Sequence, residues 1–310
     1  MNYVVYAAAP IPEPPLPPAF DGFRHRWTGW DGTSFDLSVP TAGVQLLQDG
    51  ITGMHMPEFD QYMDEHASVD GARYRGSRTR TRNPEWTLGI FGDSSKEWRE
   101  RDRSLWHSLH PDHPGLWTVS DPDGVSRSLT CRYRSAPEVP YARDPLRAGW
   151  AVHQVTLLAV NPYWEGAPIH SPIWGNAETP VNFTGPSDSA PDFYVSGATS
   201  IGSASMTNPG DVDAHVTYTA KGTGTGLTSV RIQAAGGDML YGPIAAGSTL
   251  RIMTDPTAPI ATLDGVDVSG AVSPWDPRPI PAGETSPLLV TLVGQGTLQA
   301  SFTPRYFRAF

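Results

Sequence analysis

Proline and glycine punctuate this chain so often that few stretches remain long enough for a helix. There are 31 of each, about a fifth of the 310 residues. Proline removes a backbone donor and fixes φ, and glycine costs a helix interior about 1 kcal/mol, so both favour short strands joined by tight turns. The runs between the breaks fit strands: "SVRIQA", "STLRIM", "LLVTLV" and "LQASF" are β-type, and several alternate apolar with polar residues. Turn signals lie between them at Asp49-Gly50, Asp121-Pro122-Asp123-Gly124, "NPGD" (208 to 211), suited to a type II turn, and "LDGV" (263 to 266), suited to a two-residue hairpin. The expected class is mainly β, in two β-sandwich or barrel-like domains.

One helix is expected, at about 94–110. Ser94 stands three residues before Glu97 as a capping box; Trp98, Leu105, Trp106 and Leu109 share an apolar face, and Pro111 stops it. Four segments follow from composition. Residues 1–20 form a proline-rich arm, in which "PIPEPPLPPAF" (10 to 20) suits an extended polyproline helix, either a tether or an arm that docks on a neighbouring subunit. Residues 21–165 form the first domain, 166–180 a loop-like linker and 181–310 a C-terminal sandwich.

The net charge is -10, and each part carries -5: 16 bases against 21 acids before residue 166, and 6 against 11 after it. That balance argues against bulk binding to nucleic acid or an anionic membrane. No uncharged run is long enough to cross a bilayer and no basic leader precedes the first apolar run, so a soluble chain outside the general secretory route is expected. Cys131 stands alone, which excludes an intrachain disulfide, and reads as a small buried strand residue.

Against that acidic background, "GARYRGSRTRTRNPEW" sets Arg78, Arg80 and Arg82 at a spacing of two, which on a strand sends all three to one face. Their partner is nucleic acid, an acidic protein surface or solvent. Asp60, Asp64 and Glu65 in "PEFDQYMDEH" are the acidic complement in the same domain. Catalytic motifs are absent. "GTGTG" (222 to 226) opens no helix and reads as a flexible turn, and Glu58, Asp60, Asp64 and Glu65, beside His66, are a weak source of the paired carboxylates a glycosidase needs. His107, His110, Asp112 and His113 are a conceivable metal set, but a helix C-terminus attracts such residues through its dipole, so no metal, catalytic residue or cofactor is assigned.

The order of motifs in the first domain resembles the distal tail proteins of long-tailed phages, the siphovirus tail component family, in the form found in phages of actinobacteria. The positions are Gly50, Ile51, Gly53 and Pro57, then Gly71 and Arg82, then Pro162, Tyr163 and Trp164; "MTNPGDVDAHVTYTAKG" resembles the opening of the family's second sandwich, with Ala214-His215 where many members have proline. The resemblance implies a non-enzymatic structural protein of the virion, made in the host cytoplasm. It implies a ring, commonly a hexamer, between the tail tube and the hub or baseplate proteins, with the tape measure protein a further contact and DNA passing without specific binding. It also implies a galectin-like or carbohydrate-module-like second domain. On this reading Arg78, Arg80, Arg82, Asp60, Asp64 and Glu65 are expected at a subunit or tube contact. The alternatives are a carbohydrate-binding module, for which Trp174 and Trp275 are the stacking residues, and a cell-wall hydrolase.

Overall fold

A computed structural model describes residues 22–68, 70–138, 141, 143–176 and 199–310; the arm at 1–20 lies outside them. The chain divides into two units, one ending at Trp164 and taking in Phe307–Phe310, the other Glu165–Tyr306. Both are built of strands, and the protein is mainly β.

The first unit contains β1 (Arg24–Thr28), β2 (Ser34–Asp36), β3 (Val44–Ile51), β4 (Phe59–Glu65), β5 (Ala72–Thr79), β6 (Glu85–Phe91), α1 (Ser95–Ser108), β7 (Gly115–Ser120), β8 (Ser126–Ser135) and β9 (Trp150–Leu158). Seven strands pair antiparallel in the order β2-β1-β7-β8-β9-β6-β3. The sheet curls until its ends nearly meet, where Leu46 N donates to Leu37 O at 2.9 Å. Strands β4 and β5 stand apart as their own two-stranded sheet.

Four fully buried tryptophans fill the barrel. Trp27, Trp86, Trp117 and Trp164 meet in succession at 5.4, 5.2 and 4.9 Å, each pair steeply inclined, which sets the positive edge of one ring against the negative face of the next. The fit leaves no room at Gly115, where a Cβ would fall 2.4 Å from the Trp27 ring. The helix is tied to this core by Trp27 Nε1, which donates to Ser108 Oγ at 3.0 Å. Its start follows the expected cap: Ser94 Oγ accepts from Glu97 N, while Glu97 Oε2 accepts from Asp93 N. A second helical turn, Pro145–Ala148, is capped by Asp144 and ends at left-handed Gly149, a local signal in "DPLRAG" that the reading of a single helix omitted.

His25 is buried beside Trp117, at 5.9 Å between ring centroids. Burial, opposed in part by Asp36, lowers its pKa to about 4. The unfolded chain therefore takes up a proton near pH 6.5 that the folded chain refuses until about pH 4. Stability is complete above pH 6.5 and falls as pH drops through that window, by up to about 1.4 kcal/mol per unit. Urea midpoints measured at pH 7, 6 and 5 should decline for the parent chain, and His25→Gln should flatten the decline.

In the second unit two 18-residue strands, Thr217–Ala234 and Thr285–Phe302, pair with each other along most of their length. Apolar residues of both alternate into one core that includes Tyr218, Val230, Ile232, Leu288, Val290 and Leu298. The 222–226 stretch is not a free turn. It lies inside Thr217–Ala234, where pairing jumps from Gly222↔Gly296 to Leu227↔Gly294, and Gly224 and Gly226 take positive φ. This bulge bends the strand, so that residues 217–221 pair with Thr249–Met253 and residues 230–234 with Gly237–Tyr241.

Two further expectations are corrected. Within the proposed linker 166–180, Ile169–His170 and Trp174–Asn176 are strands that pair with Thr285–Phe302. Proline and glycine there mark edge strands, which lack the length to show alternation. At 208–211 the turn is organised by Asn208, whose Oδ1 accepts from Gly210 N while its Nδ2 donates to Val212 O. The hairpin at 263–266 forms with positive φ at Asp264 and Gly265.

Candidate functional site

The β4–β5 hairpin gathers most of the candidate residues. Its register sets Asp60 opposite Arg78, Tyr62 opposite Gly76 and Asp64 opposite Arg73 on one face, and Phe59 opposite Thr79, Met63 opposite Tyr74 and Glu65 opposite Ala72 on the other. The first face is charged and largely neutralises itself. Arg80 reaches Asp60 from Nε and Nη2, at 2.6 Å each, with Glu58 at 3.6 Å, and Arg75 pairs with Asp64. The hydrogen bond to Asp60 holds the Arg80 guanidinium above its ordinary pKa. All of these groups are partly or well exposed, so solvent screens each pair and it adds little to stability.

The second face mixes Phe59, Met63 and Tyr74 with Gln61, Ser77 and Glu65, and is uneven in its cover. Near the base Phe59 meets Phe307 at 5.6 Å, and Tyr163 Oη donates to Thr79 Oγ1 at 3.0 Å. Farther out, Met63 is 53% and Tyr74 59% exposed, an apolar cross-strand pair left open. Tyr62 and Met56 are similarly exposed. These apolar residues were not singled out in the sequence, although "FDQYMDE" carries the alternation that places them.

Arg82 does not project with Arg78 and Arg80. Strand β5 ends at Thr79, and Arg82 instead bridges to Ala159, its N–H and C=O both bonded there. Its side chain turns inward and is 5% exposed. Nε donates to Pro162 O at 2.9 Å, Nη1 to Gly53 O and His55 O at 2.6 and 2.5 Å, and Nη2 to Phe307 O at 2.7 Å. Burial pushes its pKa down to about 10, still well above neutrality. The guanidinium is thus a clamp on four backbone carbonyls and not part of an exposed contact.

The proposed sugar-stacking residues also separate. Trp174 packs into the sandwich core, where a Cβ on Gly202 would fall 1.9 Å from its ring. A ring covered in this way offers no face to a sugar. Trp275 is half-buried against the same core. The histidines after α1 surround Trp30, whose ring lies 5.5 Å from His107, 5.5 Å from His110 and 5.2 Å from His113. His110 Nδ1 accepts the backbone N–H groups of Asp112 and His113. Among the described residues no group of His, Cys, Asp and Glu is arranged to hold a metal, and no helix is long and apolar enough to cross a membrane.

No family model matches the chain. It is 24% identical over 139 residues to the minor tail protein Gp27 of Mycobacterium phage L5, and 25% identical over 140 residues to Gp27 of Mycobacterium phage D29. Each match takes in 44% of this chain and spans 41% of the relative's length. Among solved structures, the Dit (gp 19.1) protein of phage SPP1, described as a paradigm of the hub adsorption apparatus in phages infecting Gram-positive hosts, is similar with a TM-score of 0.60. The identity is 15%, with 91% of this chain and 98% of that chain covered. A chain of the phage P2 baseplate in its activated conformation gives 0.53 at 10% identity, covering 91% and 98%. The chain has the fold of the SPP1 Dit protein.

Proposed function

We propose that this chain is a structural subunit of a long-tailed phage tail tip, forming a ring, taken as a hexamer, that joins the tail tube to the hub or baseplate proteins and lets DNA pass. The observation that carries the reading is the β4–β5 hairpin. A two-stranded sheet is marginal on its own, and among the described residues this one has no strand paired to its outer edges and an open Met63–Tyr74 pair. Head-to-tail contact between copies would cover both, and such contacts repeated by rotation close into rings. The fold shared with SPP1 Dit and the likeness to mycobacteriophage minor tail proteins support a role in the virion. The self-pairing of Arg80 and Arg75 supports a wall that does not hold DNA back, since each paired guanidinium is less available to phosphate.

Full-length chain at high concentration should give rings with a central hole in negative-stain images. Met63→Glu with Tyr74→Glu should raise the concentration needed for assembly more than about tenfold and leave a folded monomer. Arg80→Glu should also weaken the ring by setting three acids together, and adding Asp60→Arg should restore it. Rings that survive the Met63 and Tyr74 changes intact would remove the hairpin from the contact.

A further inference from the structure

A groove in the first unit is lined by Trp106 of α1, Pro137, Tyr141, and His153 and Gln154 of β9, and encloses about 560 Å³. Its rings stand at right angles: Trp106 to His153 at 5.3 Å and 84°, and His153 to Tyr141 at 6.4 Å and 89°. Asp102 lies behind the imidazole, its Oδ1 3.1 Å from His153 Nε2. Tyr141 is 58% exposed, a large ring held at the rim with little cover. Aromatic walls set apart in this way accept the ridges of a polyproline helix, and Trp, Tyr and Gln side chains bring donors for its unpaired carbonyls.

We propose that this groove binds the proline-rich arm, residues 10–18, of this chain. The arm has the required pattern. Pro12, Pro15 and Pro18 recur every third residue and so fall on one edge of a three-residue turn. Such a segment is ordered before it binds and loses little entropy on docking. The register of the barrel sets the distance it must span. Arg24, where the arm joins β1, pairs with Ser120, and Ser120 pairs with Ser126 at the start of β8. Ser135, at the other end of β8, pairs with Thr156, and His153 lies beyond it on β9. Groove and arm exit are therefore separated by at most roughly 40 Å along the strands, at ~3.3 Å per residue. The stretch from Pro12 to Arg24 spans up to about 40 Å when extended, so the arm is long enough to reach the groove.

The test uses full-length chain carrying Pro12→Ala, Pro15→Ala and Pro18→Ala as receptor, and a fluorescent synthetic peptide of residues 8–20 as probe, read by anisotropy. The peptide should bind saturably, and the peptide with the same three substitutions should not. Tyr141→Ala, at an exposed ring, should weaken binding at least about tenfold, and Trp106→Ala should do the same. Because the readout needs no ring, its result is independent of the assembly reading, which the hairpin variants test. Absence of binding at about 1 mM peptide, or binding unaffected by either groove substitution, would overturn the proposal.

Discussion

Replacing Arg82 by methionine is expected to lower the unfolding free energy by about 4 kcal/mol. Methionine keeps much of the buried alkyl volume and removes every donor. The carbonyls of Gly53, His55, Pro162 and Phe307 then lose the guanidinium that satisfies them, in a place with little access to solvent. An unsatisfied buried acceptor costs about 1 to 3 kcal/mol, and part of that sum is recovered because the charge no longer has to be buried. Arg82→Lys should fall between, since three donors on one nitrogen cannot span four carbonyls set around a planar fork. Urea unfolding of the full chain measures the effect, as a lowered midpoint at an unchanged slope. A loss below about 1 kcal/mol would mean that the carbonyls find other donors, and the clamp would be incidental.

Trp117→Ala is expected to cost about as much, 3 to 5 kcal/mol, for an unrelated reason. Trp117 touches both Trp86 and Trp164 and stacks on His25, so its removal opens a cavity in the middle of the tryptophan series. The barrel cannot collapse into the gap easily, because the flanking rings sit on three different strands with paired registers. Trp117→Phe should recover more than half of the loss by keeping one ring in contact with both neighbours. Near-ultraviolet circular dichroism adds a second reading, since coupled indoles give a signal that should shrink in both variants while the far-ultraviolet spectrum holds.

The sequence made the β class, the helix with its Ser94 cap and the hairpin at 263–266 legible because each rests on local chemistry: period, cap and turn residue. It also brought Asp60, Asp64, Arg78 and Arg80 together, since "FDQYMDE" and "ARYRGSRT" are neighbours in the chain and pair across one turn. What it could not show was decided at long range. Arg82 continues the spacing of two, yet its partners are residues 53, 55, 162 and 307, and no local pattern encodes a donor's distant carbonyls. Trp174 is a stacking candidate in the sequence by residue type alone. Its burial depends on Gly202, 28 positions further on, being small enough to lie beneath it. The strand character of 222–226 was hidden because a bulge and a loop share the same glycine-rich composition.

Residues Phe307–Phe310 return to the first unit, where Phe307 O completes the Arg82 clamp, Arg308 O accepts from Arg127, and Ala309 N donates to Met54 O. The second unit is therefore an insertion, and the unit that precedes it is finished only after it. On the ribosome, where chains emerge from the N-terminus, the sandwich can close while the barrel still lacks its last segment. A chain that stops short of Phe307 leaves Arg82 with a donor unused and Phe59 with its ring uncovered. The order of synthesis therefore makes the unit that carries the exposed hairpin the last to be completed, and a chain truncated before Phe307 lacks the segment that closes it.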